Sequence, residues 1–247
     1  MSTRQTFVSV VSVVSAVALL NCACGSSNVG SPTAFSASQE SAPGVAGPQR
    51  EQPPRTNDDM MVDMDTAVSV VNQFWAQHWG ELFPGTYAAP DVVGLYDGGT
   101  QSAPTCAGEP LGAENAFYCI PQDFVAWDRA LMTEGYAEGD AWVYLVIAHE
   151  WGHAIQSRIA DELVTTGKEL QADCLAGAAL YGAASDGTLV FEEGDQKELA
   201  AGLVNLADEL PWTATADHGD PFQRVDAFDV GRAGGVSACI PVTSPTG

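Results

Sequence analysis

Two histidines and a glutamate lie close together within residues 141–156, and their types and spacing could carry out hydrolysis. They form the pattern His149-Glu150-x-x-His153. Positions four apart on an α-helix lie about 40° apart around its axis, so both imidazoles can face one metal ion. Glu150 then falls beside that face and can act as acid and base on a water molecule without being a ligand. The pattern predicts a zinc site that activates water.

The motif requires a helix, and the residues before it predict one. An apolar run from Trp142 to Ala148 leads directly into His149. The alternative is a buried helix with incidental histidines. A metzincin is excluded because Gln156 and Ile159 stand where that pattern needs glycine and histidine.

A second predicted helix supplies carboxylates. Glu169 and Asp173 are four residues apart and share a helix face. One carboxylate can complete a His-His-Glu site, and the other can accept the free ring N–H of a ligand histidine. On these grounds alone, Asp161, Glu162 and His218 remain rivals for the third ligand.

The elements upstream of the motif predict a small sheet behind a helix. Helical spacing of apolar residues predicts a core helix over residues 65–79, and strand patterns follow at 91–99, 116–121 and 124–128. We therefore expect an α+β fold, predominantly α, with a small β-sheet before the His149 helix. An edge of such a sheet could pair with an extended peptide.

The N-terminus predicts export. An apolar stretch over residues 7–20 is too short to span a membrane and is typical of a signal peptide, which we place at residues 1–24. The residues that follow resemble a bacterial lipobox, with Cys24 as the lipidated cysteine, or alternatively Cys22. The other possibility is an ordinary cleaved signal and a secreted protein.

Composition divides the rest of the chain. Residues 25–57 are rich in Ser, Pro and Gly and predict a flexible linker, residues 58–241 predict one domain, and residues 242–247 are a C-terminal tail. The 9 basic and 32 acidic residues give a net charge of −23. Such a chain should be repelled by nucleic acid and by anionic head groups, so any membrane attachment would come from an N-terminal lipid.

The domain contains an even number of cysteines. Cys106, Cys119, Cys174 and Cys239 could form two disulfides in an oxidising compartment, and three pairings are possible. We favour Cys106 with Cys119 and Cys174 with Cys239. A cysteine zinc site is disfavoured because the C-x-x-C spacing is missing.

Several blocks together resemble the bacterial neutral zinc metallopeptidases, within the gluzincin branch of the zincins. The blocks are Phe74-Trp75, Ala116-Phe117-Tyr118-Cys119, Val146 to His153, Glu169 to Cys174, and His218-Gly219 with Gln223-Arg224 and Phe228.

The resemblance implies a zincin-like domain that binds one zinc ion. By position it implies that His149, His153 and Glu169 are zinc ligands, Glu150 is the catalytic acid/base, and Asp173 supports a ligand. It also places His218 and Arg224 near the metal, as candidate catalytic residues. The expected activity is endopeptidase hydrolysis of peptide or protein substrates at the cell envelope. The alternative is an inactive, zinc-stabilised binding or assembly protein of the envelope.

Overall fold

Helices make up most of the computed structural model of this chain, which describes residues 55–207 and 219–241. Helix α1 spans Asn57–Leu82. It starts there because Thr56 and Asp59 form a capping box, in which the Thr56 hydroxyl accepts from the Asp59 N–H at 3.2 Å. The predicted helix over 65–79 is therefore confirmed but too short at both ends.

The calls on the chain termini cannot be followed in the structure. The signal peptide, both candidate lipidation cysteines, nearly all of the linker and the C-terminal tail lie outside the described residues, as does His218. Within the described ranges, no helix is both long and apolar enough to cross a membrane.

A small sheet precedes the His149 helix, as the sequence predicts. Strands β1 (Asp91–Tyr96), β4 (Ala116–Cys119) and β5 (Phe124–Asp128) form it in the order β1-β5-β4. Strand β5 lies in the centre with every side chain buried, parallel to β1 and antiparallel to β4. In the stretch of sequence between β1 and β4, strands β2 (Thr105–Cys106) and β3 (Glu109–Pro110) form a separate antiparallel pair.

The remaining helices follow the sheet. They are α2 (Arg129–Glu138), α3 (Ala141–Gln156), α4 (Lys168–Ser185), α5 (Asp195–Asn205), α6 (Pro221–Gly234) and α7 (Val236–Cys239), with a 3-10 turn at Asp161–Leu163. Asp128 ends β5 and also caps α2, since its carboxylate accepts from the N–H groups of Ala130 and Leu131. The α+β, predominantly α fold is confirmed.

Helix α3 lies at the centre of the domain. It packs against α1, α2, α4 and α5 and against strands β4 and β5. The fully buried side chains at this centre include Trp151 on α3, Trp75 on α1 and Leu175 on α4. Because nearly every side of α3 is covered, its polar residues are held in fixed positions.

Helices α4 and α6 approach each other closely at two glycines. A Cβ added at Gly231 would lie 1.8 Å from the Cys174 carbonyl oxygen, and one added at Gly177 would lie 2.2 Å from the Phe228 oxygen. The two helix backbones are therefore in direct contact, which brings the first turn of α6 close to α4.

Candidate metal centre

The two motif histidines face the same side of helix α3. Their ring centroids lie 4.8 Å apart with the planes nearly perpendicular. The apolar neighbours on α3 bury the motif, so that His149 and Glu150 are each only 7% exposed. The four-residue spacing thus has the consequence that the helix geometry predicts.

Glu169, in the first turn of α4, reaches both histidines. Its Oε2 atom lies 3.2 Å from Nε2 of His149 and 3.4 Å from Nε2 of His153. Burial opposes ionisation of Glu169, but the two imidazoles beside it hold its pKa well below the usual value. The three side chains converge on one point, each with a ligand atom within 4.8 Å of the others.

A buried ion pair lies behind His149. Its Nδ1 atom is 2.8 Å from Oδ1 of Asp173, and the Arg224 guanidinium donates to both Asp173 oxygens, through Nε at 2.8 Å and Nη2 at 2.7 Å. Burial disfavours the charged Asp173, but the Arg224 bonds and the nearby His149 lower its pKa. Burial also works against a charged His149, yet Asp173 and Glu169 raise its pKa to about 10.

Arg224 is the cationic half of this ion pair, and it also lines a cavity beside Glu150. It is 2% exposed, and its third hydrogen bond goes to the Leu206 carbonyl at 2.8 Å. These contacts make Arg224 a partner of Asp173. Its predicted part in catalysis, like that of His218, stays a prediction.

Glu150 faces an open cleft with two halves. A cavity of about 680 Å³ lies on the side of α2 and Leu206, and a cavity of about 790 Å³ lies on the side of His153 and Lys168. Glu150 lines both, together with Asn115 and Ala116 at the start of β4. A substrate lying along β4 would therefore pass Glu150.

Comparison with protein families covers the part of the chain that carries this site. The family model described as putative neutral zinc metallopeptidase matches residues 7–238. The chain belongs to that family. Comparisons with curated proteins and with solved structures found no match. The family resemblance drawn from the sequence blocks is confirmed, and a metallopeptidase family accounts for a cleft of this kind beside the histidines.

The residues present fit the zinc ion that membership of this metallopeptidase family implies. Two imidazole nitrogens and one carboxylate oxygen converge, and Asp173 holds the far nitrogen of one ring. Three protein ligands of these types beside an open cleft are typical of catalytic zinc, whereas structural zinc sites are closed by four protein ligands. Zinc binding by these residues remains a prediction.

Two of the three rival third ligands, Asp161 and Glu162, are not part of this group. Asp161 and Glu162 lie in the 3-10 turn, and Asp161 lines the larger cavity. Among the described residues, the potential metal-binding group that includes the histidines takes its carboxylate from Glu169. The geometry therefore favours Glu169 over Asp161 and Glu162.

His153 has a support that the sequence did not point out. Its Nδ1 atom lies 2.9 Å from Oε1 of Gln156, one turn further along α3. The only sequence signal for this contact is the three-residue spacing on a helix already predicted. The two ring nitrogens that face away from Glu169 thus have different partners, a carboxylate for His149 and an amide for His153.

Both predicted disulfides are present in the metallopeptidase domain. Cys106–Cys119 joins β2 to the end of β4, and Cys174–Cys239 joins α4 to α7. Cys174 directly follows Asp173, so the second disulfide lies next to the support of the metal centre. Cys239 closes a loop across the segment that carries Arg224.

Proposed function

We propose that this chain is a zinc-dependent endopeptidase of the cell envelope that hydrolyses peptide bonds with Glu150 as general acid and base. The convergence of His149, His153 and Glu169 beside a cleft that Glu150 lines carries the proposal. Zinc bound by these three residues would activate a water molecule and polarise the scissile carbonyl.

Glu150 would move the proton. Its carboxylate accepts a proton from the attacking water as the new C–O bond forms at the scissile carbon. It then delivers that proton to the amide nitrogen as the C–N bond breaks, and the second water proton ends on the released amine, so the products are a carboxylate and an ammonium group. The low exposure of Glu150 limits competing bulk water, and its position at the junction of the two cavities puts it beside a bound peptide.

Strand β4 would orient the substrate. It lies at the edge of the three-stranded sheet, and its residues Ala116, Phe117 and Tyr118 line the cleft. An extended peptide can add to such an edge through main-chain hydrogen bonds, with its alternate side chains directed into the cavities. This arrangement favours an unfolded segment or an exposed loop as substrate.

A pair of glutamate variants tests the mechanism. Glu150→Gln should retain zinc and lose hydrolysis of unstructured proteins, because the amide keeps the shape of the side chain but cannot accept the proton. Glu193→Gln is the control, since Glu193 is exposed and lines neither cavity. Activity of Glu150→Gln equal to that of the wild type would refute the mechanism.

The alternative is a zinc-stabilised envelope protein without activity. It predicts about one zinc per chain and no cleavage in a screen of unrelated unstructured proteins. A site kept only for structure has no need of an acid/base residue beside an open cleft. Cleavage that depends on Glu150 would exclude this alternative.

Export and lipid anchoring complete the proposal. The signal-like segment and the lipobox-like cysteines support a mature chain that begins at Cys24 or Cys22 and is held at the extracytoplasmic face of the membrane. Mass spectrometry of the mature N-terminus tests this. An unmodified N-terminus in the culture fluid would make the chain a secreted protein.

A further inference from the structure

His153 is connected to a chain of two buried glutamine amides. Oε1 of Gln156 lies next to Nδ1 of His153. Nε2 of Gln156 donates to the Lys168 carbonyl at 2.6 Å and to Oε1 of Gln171 at 3.2 Å. Gln156 is 9% exposed and Gln171 is 3% exposed. Buried amides at such positions need partners for all their polar atoms.

Backbone groups determine which way each amide points. Nε2 of Gln171 faces the carbonyls of Leu163 at 2.7 Å and Cys239 at 3.0 Å, and carbonyls only accept. Its Oε1 accepts from the Thr165 N–H at 3.1 Å, which can only donate. Gln171 therefore offers an acceptor to Gln156, and Gln156 must present its NH₂ group there.

The orientation of Gln156 then determines the state of the His153 ring. With its NH₂ group directed to Lys168 and Gln171, Gln156 turns its oxygen to Nδ1 of His153. An acceptor at that position requires the proton of the neutral ring to be on Nδ1. Nε2, which faces Glu169, is left with its lone pair.

A disulfide holds one end of this series of hydrogen-bonded amides. The Cys239 carbonyl, which accepts from Gln171, belongs to a residue bonded to Cys174 on α4, the same helix that carries Gln171. Cys174–Cys239 thus keeps that acceptor against the helix. The path from the disulfide to His153 consists of hydrogen bonds between Cys239, Gln171, Gln156 and the imidazole.

We infer that Gln156 and Gln171 are positioning residues that hold His153 as the Nδ1–H tautomer, with Nε2 available to a metal. The inference rests on the proposed zinc function. It assigns His153 a neutral amide support, in contrast to the ionised Asp173–Arg224 pair behind His149. Partners of this kind typically change metal affinity 10–100-fold when removed.

Two substitutions at Gln156 separate positioning from simple packing. The probe is zinc alone, titrated into the full chain with both disulfides formed, in competition with a coloured chelator. Gln156→Met keeps the volume and removes the acceptor, so zinc affinity should fall about 10–100-fold. Gln156→Glu keeps the acceptor for His153 but loses both N–H donors and buries a charge. It should therefore lower the Tm more than Gln156→Met does, yet bind zinc more tightly than Gln156→Met.

A merely structural role reverses that order. It predicts that zinc affinity follows the Tm, with the Glu variant the weaker binder, and this result would overturn the inference. Gln171→Met should also weaken zinc binding, because Gln156 loses the acceptor that orients it; wild-type affinity in this variant would overturn the role of Gln171. The exposed Gln196→Met on α5 is the control and should leave zinc affinity unchanged.

The tautomer can also be measured in the wild-type chain, where folding is not in question. Ring ¹⁵N chemical shifts of His153 in the zinc-loaded protein should show a proton on Nδ1, and a proton on Nε2 would overturn the inference. A wild-type chain that binds no zinc would instead refute the proposed function. The ring shifts of neutral His153 in that metal-free protein would still decide between the two tautomers.

Discussion

The contact between α4 and α6 makes Gly231→Ala an informative substitution. Helix propensity alone predicts that alanine stabilises this position by about 1 kcal/mol. The structure predicts the opposite, because the new Cβ would lie 1.8 Å from the Cys174 oxygen and 2.9 Å from the Ala178 nitrogen. Both atoms belong to backbone, so no side-chain rotation relieves the overlap.

The size of the effect follows from the distances. Ordinary contacts are about 3.5–4.0 Å, so relieving the 1.8 Å approach requires the two helices to separate by roughly 1.7–2.2 Å. Overpacking of this kind costs about 1–3 kcal/mol, and a clash between two backbones belongs at the upper end. After subtraction of the propensity gain, we expect a loss of roughly 2 kcal/mol, or about 4–8 °C in Tm for a domain of this size.

The separation should also reach the metal centre. Arg224 is on α6 and Asp173 is on α4, so moving the helices apart stretches both of their hydrogen bonds and loosens the support of His149. Zinc affinity should therefore fall together with the Tm.

Thermal unfolding of Gly231→Ala beside a matched glycine variant provides the assay. Gly80 is in a helix like Gly231, but it is exposed, and a Cβ there meets nothing within 4 Å. Gly80→Ala should therefore be neutral or stabilising and keep the zinc affinity. If Gly231→Ala proves as stable as Gly80→Ala, the close helix contact is wrong.

The other predictions concern the second disulfide, a surface histidine and the end of α3. Cys174→Ser or Cys239→Ser should cost roughly 4 kcal/mol, because the loop spans 65 residues, and should reduce zinc retention; the double variant should be little worse in chemical unfolding. The hydrogen bond that the His78 ring donates to Asp186 raises the pKa of His78. The stability that His78 contributes should therefore be complete below about pH 6.5 and disappear as pH rises through the raised pKa. The Tm difference between wild type and His78→Gln should shrink from pH 5.5 to pH 9. Arg158→Met should raise KM more than it lowers kcat, because Arg158 ties the end of α3 to β4 through hydrogen bonds that hold the cleft wall.

The local pattern of the sequence was enough to predict the helix that carries His149 and His153. The spacing of His149 and His153 and the apolar run before them define one helix and one face, and the spacing of Glu169 and Asp173 defines another. These are short-range regularities that a 3.6-residue period makes visible. The sequence blocks that resemble the family linked these two helices to one metal site.

Contacts between distant segments could not be read in the same way. The parallel pairing of β1 with β5 depends on the intervening chain, and the amide chain through Gln156 and Gln171 joins α3, α4 and α7. Glutamine has no distinctive spacing rule, since its amide can serve as donor or acceptor in many settings. Such partners become evident only when the backbone groups around them are in place.

The shortness of β4 limits how the proposed enzyme would recognise a peptide. Four residues of strand extend over about 13 Å, which allows only a few main-chain hydrogen bonds to a bound segment. Backbone pairing alone would then hold a substrate weakly, and the two cavities beside Glu150 would supply most of the discrimination between side chains. A chain that needs only a short extended stretch can act on protein loops and frayed ends without unfolding the whole substrate, and it can release the products quickly.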